Sequence, residues 1–276
     1  MFCIARAQGQ AGGETKDILY AKAGEKSLLL DLYLPEDVSA PRLIVWVHGG
    51  AWKSGTKAQV PKVFVEKGFA VASLDFRQST EAPFPANVHD IKAAIRFLRA
   101  KASGYGYRTE KIAIAGASSG GHLAALVGVT NGNKELEGSI GNHRDQSSDV
   151  HAIIDYYGAS NLTTILNQST PHGLSVRKPA LELLLGALPE DVPAIAERAS
   201  PVTHVDRGDP PLLLIHGDQD KQMPINQSHE LVGKYKEVGA DVDFHVVYGA
   251  GHGGNTFFSG EQLERALTFL DRVLGK

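Results

Sequence analysis

The sequence predicts an α/β fold, a mostly parallel central sheet with helices on both faces. Strand-length runs of apolar residues recur along the chain, and the segments between them carry apolar residues at helical spacing. Continuous apolar runs belong to strands covered on both sides, and strands that alternate with helices pair in parallel. A length of 276 residues suits one large domain of this kind, with ample chain for a core.

In chain order, residues 28–34 read as an early strand stopped by Pro35. Leu43-Ile44-Val45-Trp46-Val47 reads as a strand buried on both faces. A short helix over 62–68 ends at Gly68 and leads to a strand at 70–74. Residues 90–99 have helical periodicity and lead to a strand at 112–115 and a helix at 122–127. Further strands are expected at 152–156, 212–215 and 243–247, with helices at 228–238 and 262–274. Two stretches break the rhythm. Residues 131–149 are polar, Gly-rich and strand-free, and 161–198 carry Pro171, Pro179, Pro189 and Pro193 around one apolar run. The second stretch is expected to form a small cap over the active-site end of the sheet, within a domain spanning 18–276.

Residues 1–17 are expected to be a flexible tail. Within it, Ala5-Arg6-Ala7 has the small-x-small form of a signal-peptidase site, so the tail also reads as the remnant of a secretory leader. A leader would favour a secreted or periplasmic location. Composition narrows the function further. A net charge of −3 argues against a nucleic-acid partner, and no apolar run approaches the roughly 20 residues of a membrane span. With one cysteine, Cys3, the chain builds no internal disulfide and no cysteine-based metal site. Neither a phosphate-binding glycine loop nor a spaced metal-ligand cluster is present, so no cofactor and no metal are expected.

The chemistry-bearing motifs sit where strands end. Gly116-Ala117-Ser118-Ser119-Gly120 lies between an expected strand and helix, a G-x-S-x-G pattern. A sharp turn there crowds Ser118 and needs glycine-sized neighbours. A serine hydroxyl is a poor nucleophile until a base takes its proton and an acid orients that base. His216-Gly217-Asp218-Gln219-Asp220 and Gly249-Ala250-Gly251-His252-Gly253-Gly254 follow later strands, in the order Ser, acid, His. His252 is the expected base, and Asp218 and Asp220 compete as the acid. His216 reads as a brace for the acid loop and His122 as a packing residue. His48-Gly49-Gly50-Ala51-Trp52 follows the 43–47 strand and supplies backbone N–H groups for a developing oxyanion. The first donor is expected at Ser119 and the second at Gly50 or Ala51.

These motifs together resemble the esterase/lipase branch of the α/β-hydrolases, close to the hormone-sensitive-lipase-like and bacterial feruloyl-esterase-like carboxylesterases. The resemblance runs from about Ile18 onward. Its H-G-x-x-D-x-x-V-P pattern implies Asp220 as the acid, with Met223 in place of Val and Pro224 retained. His-Gly-Gly-Ala-Trp in place of three glycines matches feruloyl-esterase-like proteins and also kynurenine formamidases. The expected activity is therefore a serine carboxylesterase acting through Ser118, Asp220 and His252 on small soluble esters, with feruloyl or acetyl esters of plant polysaccharide implied by the resemblance. A formamidase or small peptidase with the same triad is one rival, and a non-catalytic binder on the same scaffold is another. Trp52 either stacks on an aromatic acyl group or packs the oxyanion loop. Tyr156 and Tyr157 either line the pocket or pack in the core or at the rim, and Arg77 is expected to pair with Asp90.

Overall fold

The computed structural model describes residues 13–275. Cys3 and the leader-like Ala5-Arg6-Ala7 lie outside them. The elements run β1 (Gly13–Ala23), β2 (Lys26–Leu34), β3 (Arg42–Val47), α1 (Val63–Glu66), β4 (Ala70–Leu74), α2 (Ala86–Tyr105), β5 (Arg108–Ala117) and α3 (Ser119–Gly128). They continue with α4 (Lys134–Glu137), β6 (Ala152–Tyr156), α5 (Ile165–Gln168), α6 (Pro171–Leu185), α7 (Pro193–Arg198), β7 (Leu212–Gly217), α8 (Asn226–Val238), β8 (Val242–Val247) and α9 (Gly260–Leu274).

One sheet takes the order β1-β2-β4-β3-β5-β6-β7-β8. The β1–β2 and β2–β4 pairs are antiparallel, and the pairs from β4 through β8 are parallel. The expected parallel sheet is therefore present, with an antiparallel edge. The β1 strand begins at Gly13, inside the stretch expected to be tail.

Strand periodicity divides the core between the two faces. Leu43, Val45 and Val47 of β3, with Ile112 and Ile114 of β5, pack against Ile91, Leu123 and Leu231 on α2, α3 and α8. Ile44, Trp46, Ala113 and Ala115 pack on the other face against Phe64 of α1 and Phe269 of α9. Parallel register aligns the strand ends: Val47 is paired with Gly116, Ala117 with Tyr156, and Gly217 with Val247. The loops after β3, β5, β7 and β8 thus emerge along one edge, where open α/β sheets bind their ligands. Arg77 and Asp90 brace this region as expected. The guanidinium donates to both carboxylate oxygens of Asp90, with Nη2 at 2.7 Å from Oδ1 and Nε at 2.9 Å from Oδ2.

Candidate active site

The turn after β5 holds Ser118 in a backbone conformation of φ 57° and ψ −123°. An L-residue adopts positive φ only at a cost in strain, so the surroundings must impose it. The flanking glycines do so. A Cβ on Gly116 would sit 2.2 Å from the Gly120 carbonyl oxygen, and one on Gly120 would sit 2.1 Å from that of Val47. Only glycine lets α3 start this close to β5 and β3. The Ser118 N–H donates to the Tyr156 carbonyl at 2.8 Å, which ties the turn to β6.

His252 reaches this serine from the loop after β8. Its Nε2 lies 2.8 Å from Ser118 Oγ and its Nδ1 lies 2.5 Å from Asp220 Oδ2. With Nδ1 carrying the proton toward Asp220, Nε2 is left free to accept from the serine hydroxyl. Asp220 is further fixed by two backbone donors, the N–H groups of Gln222 and Met223, each 2.8 Å from Oδ1. Burial pushes its carboxyl up, but hydrogen bonds from His216, His252 and Met223 outweigh that and hold it well below the usual carboxylate range. Asp218, the competing acid, instead accepts the Gly249 N–H at 2.7 Å and ties the loop after β7 to the loop after β8.

The loop after β3 stands against the serine. A Cβ on Gly49 would lie 2.9 Å from the Ala117 carbonyl and 3.4 Å from Ser118 Cβ. The Gly49 carbonyl is engaged by His48 Nδ1 at 2.7 Å, and the Gly50 carbonyl accepts from the Ser54 N–H at 3.0 Å. A trans peptide points its C=O and N–H in opposite directions. Tying down those two carbonyls therefore turns the N–H groups of Gly50 and Ala51 the other way, on a segment that lines the cavity beside Ser118. The N–H of Ser119, first residue of α3, has no partner one turn back within its helix.

The serine and imidazole open into a cavity of about 710 Å³. Trp46, Tyr157 and Phe258 give it an aromatic wall, and Val60 and Val63 add apolar surface. Tyr157 meets the His252 ring edge to face, with centroids 4.9 Å apart. The expectation of Trp52 as a substrate contact needs correction. Gly50, Ala51 and Trp52 all have positive φ, which turns the Trp52 indole inward, where it is 1% exposed. There its Nε1 donates to His122 Nδ1 at 3.0 Å, so it braces the loop from behind. His122 has the expected packing role, since its other nitrogen donates to the Ala199 carbonyl at 2.7 Å. His216 braces Asp220, and Tyr156 is fully buried while Tyr157 reaches the cavity.

Two wall residues, Trp46 and Phe258, and one charged residue, Arg177 of α6, join the cavity without having been singled out by the sequence. Trp46 sits in an apolar strand run, and Phe258 follows the His252 loop. Arg177 has no local mark at all. Among the described residues no group of three or more His, Cys, Asp or Glu side chains could hold a metal ion, and no helix is long and apolar enough to cross a membrane.

Known proteins share this architecture. Esterase LipC of Mycobacterium tuberculosis is 30% identical over 233 residues, covering 82% of this chain and 56% of its own length. The chain thus spans about half the length of the curated relatives it matches. A truncated form of carbohydrate esterase from gut microbiota superposes with a TM-score of 0.84 at 33% identity, covering 96% of this chain and 98% of the other. Thermogutta terrifontis esterase 2 phosphonylated by sarin superposes with a TM-score of 0.76 at 27% identity, covering 96% of both chains. The BD-FAE family model matches residues 30–235, and the chain belongs to that family of α/β-hydrolase esterases.

Proposed function

We propose that the chain is a serine carboxylesterase. The observation that carries the reading is the 2.8 Å approach of His252 Nε2 to Ser118 Oγ with Asp220 behind the imidazole. Ser118 Oγ attacks the ester carbonyl carbon as His252 Nε2 takes its proton. The carbonyl oxygen becomes an oxyanion, which accepts hydrogen bonds from Ser119 N–H and from Gly50 or Ala51 N–H. As the intermediate collapses, the C–O bond to the alcohol breaks and His252 returns the proton to the leaving oxygen. Water then adds to the acyl-serine with His252 again as base, and the acid leaves as Ser118 regains its proton. Asp220 keeps its charge throughout and stabilises the imidazolium.

A cavity of about 710 Å³ fits small esters, and its aromatic wall suits a flat acyl group such as feruloyl. The likeness to a carbohydrate esterase supports feruloyl or acetyl esters of plant polysaccharide as the substrate class. Residues 161–198 serve as the cap, because α6 brings the buried Arg177 into the cavity wall.

A fluorophosphonate probe tests the mechanism. Intact-mass analysis is expected to find one adduct, on Ser118, that S118A lacks. Parallel assays with p-nitrophenyl acetate, methyl ferulate, N-formylkynurenine and an aminoacyl anilide test the reaction class. Turnover of the two esters is expected. Amide cleavage without ester cleavage would establish the formamidase or peptidase alternative, and a folded protein that takes no probe would establish a binder.

A further inference from the structure

Arg177 is out of keeping with a plain ester pocket. Its guanidinium lies on cap helix α6, is 1% exposed and lines the cavity that holds Ser118 and His252. Its protein partners are few. Nε makes a long contact of 3.3 Å to the Gln222 carbonyl, and the group lies 5.8 Å from the centre of the Trp52 ring. Nη1 is buried with no hydrogen-bond partner. Burial pulls its pKa down to about 10, opposed by the charge of Asp220, so the group stays cationic at neutral pH.

A buried cation so poorly paired is costly to the fold unless something completes it. The surroundings point to an anion. The charged side chains lining the cavity are Lys53, Lys62 and Arg177, and no Asp or Glu lines it among the described residues. The chain as a whole carries a net charge of −3, so this pocket runs against the sign of the molecule. Guanidinium groups bind carboxylates through two parallel N–H bonds, and the pairing is strongest where water is excluded.

We infer that Arg177 is a specificity residue for esters that carry a second, free carboxylate, which docks on its guanidinium while the ester carbonyl meets Ser118. The inference rests on the carboxylesterase reading above and narrows its substrate class. Lys53, exposed nearer the mouth, helps draw the anion in without fixing its position, whereas Lys62 is paired with Glu14 at 3.5 Å. An ester of the same shape without charge leaves the guanidinium buried and unpaired, which is how a built polar site rejects a neutral analogue.

The test compares half-esters with uncharged partners of the same shape. Ethyl hydrogen malonate, succinate, glutarate and adipate are paired with the corresponding ester-amides, and acetoxyacetate is paired with acetoxyacetamide. The half-ester series places the carboxylate on the acyl side, and the last pair places it on the alcohol side. The wild type is expected to favour at least one acid over its amide by about 100-fold in kcat/KM. R177M is expected to bring that ratio close to unity while retaining turnover of the amides, and R177K to keep an intermediate ratio. A merely structural role would lower both members of each pair alike and leave the ratio in place, and that result would overturn the inference. So would a wild-type ratio near unity in every pair.

Calorimetric binding of glutarate against the uncharged diamide glutaramide to the wild type and R177K gives a reading that needs neither turnover nor folding of R177M. Tighter binding of glutarate, weakened in R177K, supports the site. Equal or absent binding of the two ligands rejects it. Turnover of p-nitrophenyl acetate without any acid preference would leave the esterase reading standing and remove this one. Arg177-dependent glutarate binding without ester turnover would do the reverse.

Discussion

His216 lies behind the acid: its Nε2 is 3.3 Å from Asp220 Oδ2, the same oxygen that faces His252 Nδ1 at 2.5 Å. His216 is fully buried, with Nδ1 on Ser228 Oγ at 2.7 Å and Nε2 on the Met223 carbonyl at 3.1 Å. These contacts give the ring one arrangement, with Nε2 protonated toward Asp220 and Met223, and Nδ1 accepting from Ser228. His216 touches no reacting atom, so it is a positioning residue. H216L is expected to lower kcat about 10-fold, with KM nearly unchanged, because Asp220 loses a donor that fixes its orientation and charge. H216Q, which retains an amide donor, is expected to recover part of the loss. A KM-only effect in H216L would place His216 on the binding side instead.

The oxyanion loop gives a second expectation. Gly50 has φ 122°, and a Cβ there would stand 2.0 Å from the carbonyl oxygen of Ser54, whose N–H closes the turn on the Gly50 carbonyl. G50A therefore displaces the peptide carrying the Ala51 N–H while leaving the sheet alone. Removing one oxyanion donor costs about 100- to 1,000-fold in kcat. G50A is expected to fall in that range with its melting temperature nearly retained, measured by steady-state kinetics beside thermal unfolding. Loss of folding at the same time would move Gly50 from the reaction to the scaffold.

The three triad side chains are expected to act as one unit. Each of S118A, D220N and H252A should lower kcat by about 10,000-fold or more, and the double variant S118A/H252A should be no worse than S118A alone. Additive losses in a double-mutant cycle would mean that His252 acts elsewhere than on the Ser118 proton.

The candidate site was legible where chemistry is encoded in a short run beside a strand. Ser118, Asp220, His252 and the loop at Gly50 and Ala51 each follow an apolar run that the period alone assigns to the sheet. What escaped depends on distant packing. The β1 strand opens on the polar run Glu14-Thr15-Lys16-Asp17, and register shifts between Thr15 and Ile18 and between Leu19 and Ala21 break its alternation. It is a strand because β2 pairs with it. Trp52 stands beside the glycines of its motif and reads as a pocket residue, but three successive left-handed residues send it inward and leave the wall to Trp46. Arg177 is buried and its neighbour Lys178 exposed because of the faces of α6 they occupy, and what covers each face is set by tertiary packing rather than by the local sequence.

Two buried groups flanking the elbow titrate against each other. His122 on α3 is held down to about 4 by burial, opposed by its bond to the Ala199 carbonyl. Asp155 on β6 is pushed up to about 7 by burial, opposed by the Gly158 N–H on Oδ1 at 2.8 Å, and its Oδ2 has no partner. Between pH 4 and 6.5 the unfolded chain protonates His122 and the folded one does not, so this group makes stability rise with pH. Between pH 3.8 and 7 the folded chain keeps the Asp155 proton that the unfolded one has lost, so this group makes stability fall with pH. The first is worth about 3 kcal/mol across its window and the second about 4 kcal/mol, and in the wild type they largely offset. D155N is therefore expected to gain stability relative to wild type on going from pH 4.5 to 7, as the cost of burying the carboxyl is removed. H122Q keeps an acceptor for Trp52 and a donor for Ala199, and it is expected to lose stability relative to wild type over the same interval. Urea unfolding at both pH values checks the signs. Other titrating groups are common to all three proteins and cancel in the differences, so shifts of the same sign in the two variants would refute the assignment of a neutral imidazole and a protonated carboxyl to these neighbours.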